Sequence, residues 1–402
     1  MNPLRWIDDR LRELDARHLR RRLQTRRGPQ DTTILIGERD DIGYSDEFVP
    51  SGRPLINLSA NDYLGLARDP RLAEAARAEA VRSGWGAGAS PLVTGRGAAQ
   101  ASLENAIAEF EQTEAALVFT SGFAANAGTI PALVGTGDHV LSDAQNHASI
   151  IDGCRLSGAT IHVYRHRSVD HARDLLEQIP DSDKGHILMV TDTLFSMDGD
   201  LAPLAELAQL AATYQAMLMV DEAHATGVFG AAGRGVCEAL GVEEGVHVRV
   251  GTLSKALGCN GGFVAGSRNL IDWLANRARS YVFSTALPGP VCAAAERALE
   301  LVMSEPLRRE RVLAHASYLR NALGSKGWAM DSSPSQIVPL RVGEPQRAVE
   351  FSTRLRQLGF LVPAIRPPSV PTGQSLLRIS LNSQLDAEDL HQLVAACDMR
   401  SL

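Results

Sequence analysis

The chain predicts an α/β protein: a large, mainly parallel sheet with helices on both faces, plus a smaller α+β domain at its C-terminal end. Three observations carry this expectation. From about residue 54, short apolar runs alternate with helix-like stretches. Several of those runs, AMLMV (216–220) above all, are apolar at every position, as a strand covered on both faces requires. After Pro288-Gly289-Pro290 the texture shifts to long helices, then strand, helix and strand pieces ending near residue 396. With 402 residues, the chain is also too long for one ordinary core.

Residues 2–26 are expected to form one amphipathic helix, with Leu4, Ile7, Leu11 and Leu14 at helical spacing and Gly28-Pro29 as its stop. Its end is rich in arginine: Arg17, Arg20, Arg21, Arg22, Arg26 and Arg27. A solvated face explains such a run, as does an anionic ligand or acidic partner. This makes 1–53 an N-terminal helical segment. The main domain then spans 54–290. Its strand candidates are 117–119, 139–141, 161–164, 186–192, 216–222, 246–251 and 261–266. Its helix candidates are 98–111, 147–156, 168–178 and 203–213. The smaller domain takes 291–402, opening with long helices over 291–324.

Composition excludes several classes. The formal net charge is −7, whereas a general nucleic-acid binder carries a basic excess. The five cysteines (154, 237, 259, 292, 397) are odd in number and form no CxxC, so reduced thiols in a cytoplasmic protein are expected. The first residues lack the apolar stretch of a secretory signal, and their acids argue against a transit peptide. No run of about 18 apolar residues predicts a membrane span.

In an open parallel sheet, ligands bind beyond the carboxyl ends of the strands. Five strand ends stand out together. AMLMVDEAH puts Asp221 at the end of a buried strand and His224 three residues on. A carboxylate there needs a cation, and the protonated pyridine of pyridoxal phosphate (PLP) is one. A helix cap or metal ligand is the plainer account of a lone Asp. A helicase reading of DEAH needs a GxxxxGK[ST] loop, which the chain lacks. RVGTLSKALG puts Lys255 just after the next strand, beside Thr252 and Ser254. A lysine there fits an imine to the cofactor, with hydroxyls reaching its phosphate, although most lysines are simply solvated. In LVFTSGFAAN, Ser121-Gly122-Phe123 begins a helix whose N–H groups could hold that phosphate or merely be capped. LSDAQNHASI sets Asn146 and His147 after a further strand, where a ring could stack on a planar cofactor or be structural. TDTLFSMDGD puts Ser196 in reach of a phenolic oxygen, or in a plain Asp198-Gly199 turn.

Other motifs fall away. GWGAGAS (84–90) meets Pro91 where GxGxxG needs glycine, and no strand clearly precedes it. His162 and His166 are expected on a strand, where a four-residue spacing makes no helical metal pair. No GxSxG elbow is present, and no metal is expected.

Taken together, these segments resemble the α-oxoamine synthase family of PLP enzymes, which have the aspartate-aminotransferase-like (fold type I) architecture. The resemblance runs from about residue 55 to 395. It is carried by LSANDYLGLA, GAGASPLVTG, FTSGFAAN, NHASI, FSMDGDLAPL, VDEAHATGVFG, TLSKALG, FSTALP and AIRPPSVPTG. It implies that Lys255 forms the imine, Asp221 pairs with the pyridine nitrogen, and His224 and Ser196 contact the phenolic oxygen. His147 stacks on the ring, while Gly122, Phe123, Thr252 and Ser254 hold the phosphate with Thr285 of a second subunit. Asn61 lies near substrate, and Arg378 binds the amino-acid carboxylate. Ser369 and an N-terminal arginine, best matched by Arg20, contact the acyl substrate. AIRPPSVP is most similar to the branch that condenses L-alanine with a pimeloyl thioester, on acyl carrier protein or coenzyme A, in biotin synthesis. A homodimer is implied, with no nucleic acid or membrane partner. Three positions depart from the family: Pro91, Gln100 and Leu385.

Overall fold

A computed structural model of the chain describes residues 3–37, 53–180 and 185–398. It divides into two compact units. One comprises Asp62–Ser196 and Asp200–Glu310. The other comprises Met1–Asn61, Met197–Gly199 and Arg311–Leu402.

The larger unit is built on a seven-stranded sheet. Its spatial order is Ala115–Phe119, Gly262–Gly266, Val248–Thr252, Met217–Asp221, Ile187–Asp192, His139–Asp143 and Thr160–Tyr164. Gly262–Gly266 runs antiparallel to both neighbours; the other pairings are parallel. Strands that contribute Leu188, Val190, Met219, Val248, Val250 and Val264 to the core have little choice but to sit in mid-sheet, because those side chains are fully buried. The helices Ala98–Glu111, Ala148–Ser157, Val169–Glu177 and Leu204–Thr213 lie within a residue or two of their expected positions. As a result, Phe119, Thr252, Asp221, Asp192, Asp143 and Tyr164 all end at one edge of the sheet. The helix Gly289–Ser304, expected to open the small domain, belongs by its packing to this unit. It lies on Pro70–Ser83 and Ala98–Glu111 and buries Cys292, Ala295, Leu299 and Val302.

The smaller unit holds two sheets. Thr25–Arg27, Thr33–Gly37, Leu55–Asn57 and Phe360–Leu361 form one; Ile337–Gly343, Ser375–Ser380 and Ala364–Ile365 form the other. Its N-terminal part corrects the expected 2–26 helix, which runs only over Arg5–Ala16. That helix buries no residue, so nothing rewards its continuation through a cationic run. Instead, His18 turns into the left-handed region, and Arg20 and Arg22 fold back onto Asp15. Thr25–Arg27 is a strand, and Gly28 (φ +75) lies in its turn to Thr33–Gly37 rather than closing a helix. Residues 38–52 of the expected N-terminal segment lie outside the described residues.

Candidate active site

Each strand end at the common edge delivers one part of the site. Asp221 closes Met217–Asp221 and is buried. Its hydrogen bonds come from neutral donors: Asn126 Nδ2 at 2.6 Å and the Ala223 N–H at 2.8 Å. A buried carboxylate solvated only by neutral dipoles is a site prepared for a cation. Next to it in register is Asp192, also buried. Burial first, and the neighbouring Asp221 charge second, push the Asp192 carboxyl well above the usual carboxylate range. Its Oδ2 accepts the His147 N–H at 2.6 Å, and its own N–H donates to Asn146 Oδ1 at 2.9 Å. Asp192 thereby holds the loop that carries His147.

His147 caps the helix Ala148–Ser157, with Nδ1 2.7 Å from Ser149 Oγ. The residue is exposed at its outer edge. Its imidazole is nonetheless partly desolvated, and that burial, with the Lys255 ammonium, outweighs the opposing Asp221 charge and holds it below the usual histidine range. His224 is buried and sits with Nδ1 2.6 Å from the Tyr63 hydroxyl. The adjacent Glu222 accepts from Thr193 Oγ1, the Val236 N–H and the Cys237 N–H, which pins the loop following Asp221.

Lys255 lies half-buried just after Val248–Thr252, and its charge acts on both His147 and Asp192. Its loop is closed by the Gly258 N–H donating to the Lys255 carbonyl at 2.9 Å. Gly258 has φ +65, and a Cβ there would collide with the Leu66–Ala67 backbone, so only glycine closes this turn. The Thr252 and Ser254 hydroxyls are 2.8 Å apart. A Cβ on Gly122 would touch the Thr252 side chain at 3.5 Å, which puts the start of the helix Gly122–Leu133 beside those hydroxyls. Ser121 caps that helix through the Ala124 N–H, and Phe123 at its second position is exposed. N–H groups and two hydroxyls converging on one spot match an anionic phosphate.

Ser196 sits half-buried on the loop after Ile187–Asp192, where the Phe195 N–H donates to the Asp200 carbonyl at 3.0 Å. Thr285 is exposed, in a stretch that follows the short helix Arg279–Val282. In the smaller unit, Arg378 is buried and donates to Asn61 Oδ1 at 3.1 Å and Ser380 Oγ at 2.8 Å. Ser369 is exposed and accepts from Arg21 Nη2 at 2.9 Å. The expected Arg20 is engaged by Asp15 instead, at 2.5 Å. Adjacent arginines in a non-helical stretch point differently, and the sequence does not decide between them. Among the departures from the family, Gln100 is buried and donates to Glu104, Leu385 is buried, and Pro91 begins a four-residue helix.

Four polar residues at these strand ends escaped the motif search: Tyr63, Asn126, Ser149 and Asp192. All but Asp192 lie inside segments quoted above for the family resemblance, yet nothing local shows what they bond. His166 was set aside as a metal ligand and has another task. It lies beyond the strand Thr160–Tyr164, with Nδ1 2.8 Å from Asp143 Oδ1 and Nε2 3.0 Å from Asp200 Oδ2. Both ring nitrogens face carboxylates, so both carry protons. Burial opposes that charge, but the two carboxylates outweigh it and raise His166 to about 9. Among the described residues, no cluster of His, Cys, Asp and Glu suits a metal ion, and no helix is long and apolar enough to cross a membrane.

The model of the family described as aminotransferase class I and II matches residues 53–396. The chain is 47% identical to an 8-amino-7-oxononanoate synthase of Anaeromyxobacter dehalogenans, over 98% of this chain and 94% of that one. It is 46% identical to the synthase of that name from Geobacter sulfurreducens, over 98% and 97%. Among solved structures it is similar to a serine palmitoyltransferase from S. paucimobilis with a bound PLP–myriocin aldimine. The TM-score is 0.90 at 30% identity, covering 98% and 97% of the two chains. It is also similar to an 8-amino-7-oxononanoate synthase from Francisella tularensis, with TM-score 0.75 at 27% identity, covering 86% and 98%.

Proposed function

The chain belongs to the class I and II aminotransferase family and groups there with 8-amino-7-oxononanoate synthases; from that premise we propose that it is a PLP-dependent acyltransferase of biotin biosynthesis, joining L-alanine to a pimeloyl thioester on acyl carrier protein or coenzyme A. The observation that carries this reading is the buried Asp221, bonded by neutral donors, at the strand end next to the one that delivers Lys255. The residues fit PLP. A protonated pyridine would supply the cation to pair with Asp221, and the helix start at Gly122, beside the Thr252 and Ser254 hydroxyls, has donors for a phosphate.

Lys255 would hold the cofactor covalently, with His147 over its ring and His224 and Ser196 at its phenolic oxygen. Gly122, Phe123, Thr252 and Ser254, with Thr285 of the partner subunit, would hold its phosphate. Bound there, PLP supplies a protonated ring that draws electrons from the amino acid's Cα. Lys255 Nζ, released by the incoming amine, takes the Cα proton. Arg378, oriented by Asn61 and Ser380, holds the amino-acid carboxylate as a charge-assisted pair. Arg21, rather than Arg20, works with Ser369 on the acyl substrate. Arg21→Ala then raises KM for pimeloyl-CoA about tenfold, the effect of one lost charged hydrogen bond, while Arg20→Ala leaves it nearly unchanged. The enzyme is expected to be a cytoplasmic homodimer, which sedimentation of the purified protein tests.

Product mass after incubation with PLP, alanine and pimeloyl-CoA tests the reaction, with glycine and acetyl-CoA run alongside. Turnover of glycine with acetyl-CoA alone would assign a different member of the family. Borohydride reduction and peptide mapping should label Lys255, and a label elsewhere would overturn the assignment.

A further inference from the structure

Asp221 and His147 are joined through the protein as well as through any shared ligand. Two buried side chains lie between them, Asn126 and Ser149, with 0% and 1% of their surface exposed. Asn126 Nδ2 is 2.6 Å from Asp221 Oδ2 and 2.9 Å from Ser149 Oγ. Ser149 Oγ is in turn 2.7 Å from His147 Nδ1, and the Ser149 backbone N–H points at that same nitrogen from 3.3 Å.

The chemistry of donors and acceptors gives this chain a direction. An ionised Asp221 only accepts, so Asn126 must turn its NH2 toward it. The second amide hydrogen then goes to Ser149 Oγ. Reversing the amide would set an oxygen against the carboxylate. The arrangement is kept although it leaves Asn126 Oδ1 buried and without a hydrogen bond, a cost that only a stronger demand offsets. Ser149 Oγ accepts from Asn126, so its own proton is free for His147 Nδ1. Two donors, that hydroxyl and the Ser149 N–H, converge on one ring nitrogen, which must offer its lone pair.

We propose that Asn126 and Ser149 are positioning residues that carry the charge of Asp221 to His147 and fix its neutral tautomer, with the ring proton on Nε2. The lowered pKa of His147 agrees with a neutral ring. The consequence is chemical. At its free edge His147 offers a donor and no acceptor. It can therefore bind an anionic group of the amino acid but cannot take the Cα proton, which leaves that step to Lys255. The second half of this argument rests on the proposed function; the tautomer does not.

The PLP-loaded protein, labelled with 15N-histidine, tests the proposal by two-bond 1H–15N correlation, with His147 assigned by the signal lost in His147→Asn. A non-protonated Nδ1 and a protonated Nε2 are expected. A protonated Nδ1 in the wild-type protein overturns the proposal, whatever the activity. Ser149→Ala should populate the second tautomer and raise the His147 pKa, and Ser149→Thr should restore both. In Ser149→Ala, KM for the amino acid should rise about tenfold, the effect of one weakened charged hydrogen bond, with kcat changed less than about threefold. An unchanged tautomer in Ser149→Ala, with far-UV circular dichroism intact, would show that the relay does not set it.

Discussion

Two pairs of acids, three of them buried and Asp200 half-buried, sit near the same edge of the large sheet, and they meet opposite surroundings. Asp143 and Asp200 share an internal cation, His166, with Arg167 adding its N–H and guanidinium. Asp221 and Asp192 meet neutral donors, and Lys255 is the nearby charge acting on Asp192. The first pair has its cation supplied by the fold itself, although Asp200 Oδ1 stays buried without a hydrogen bond. The second meets neutral donors at Asp221, at the place where the proposed cofactor would bring a cation. An acid held by neutral donors, beside one held by an internal cation, marks the place suited to a cationic ligand.

The contrast can be broken by mutation, and the largest effect is expected at Asp221. Asp221→Asn would remove the proposed partner of the ring cation, and losing one member of a buried pair should cost activity about 10²–10⁴-fold, read as kcat/KM with saturating PLP. His166→Asn is next. It strands Asp143 and Asp200 beside each other and should lower unfolding free energy by about 1–3 kcal/mol in denaturant titration. The pH dependence sharpens this. The His166 pKa is raised by folding, so its stabilisation is complete below its ordinary value of 6.5 and fades as pH climbs through about 9. The wild-type melting temperature should fall over that window more steeply than that of His166→Asn. Asp192→Asn should be mild, within about threefold in kcat, because burial already favours the neutral carboxyl and the amide oxygen still accepts the His147 N–H. The smallest effect belongs to Arg167→Ala. Arg167 is half-exposed, and its pair with Asp200 should be worth within about 1 kcal/mol.

How much of this was legible in the sequence follows from how local each signal is. Asp221 was readable because a strand apolar up to it ends there, and Lys255 because it follows the next strand between small residues and the Thr252 and Ser254 hydroxyls; strand ends are where such a sheet binds ligands. The helix 98–111 was readable from its spacing. The arginine that meets Ser369 was not, because the expected helix stops at Ala16 for want of a buried face, and the register of everything after it shifts. The task of His166 was not readable, because its partners lie 23 and 34 residues away and no periodicity connects them. Asn126 and Ser149 look like ordinary small polar residues of two helices. Only the packing of those helices shows that they face each other.

The sheet order also has a consequence for biosynthesis. Ala115–Phe119, the strand that leads into the proposed phosphate cradle, is an edge strand paired, among the described residues, only with Gly262–Gly266, about 140 residues later in the chain. At ribosomal speeds of about 5–20 residues per second, that strand waits roughly 7–30 s for its neighbour to be made. Lys255 leaves the ribosome before the cradle is closed. Vitamin capture therefore waits at least until residue 262 of 402 has been made, and nascent chains arrested short of Gly262 should retain no cofactor.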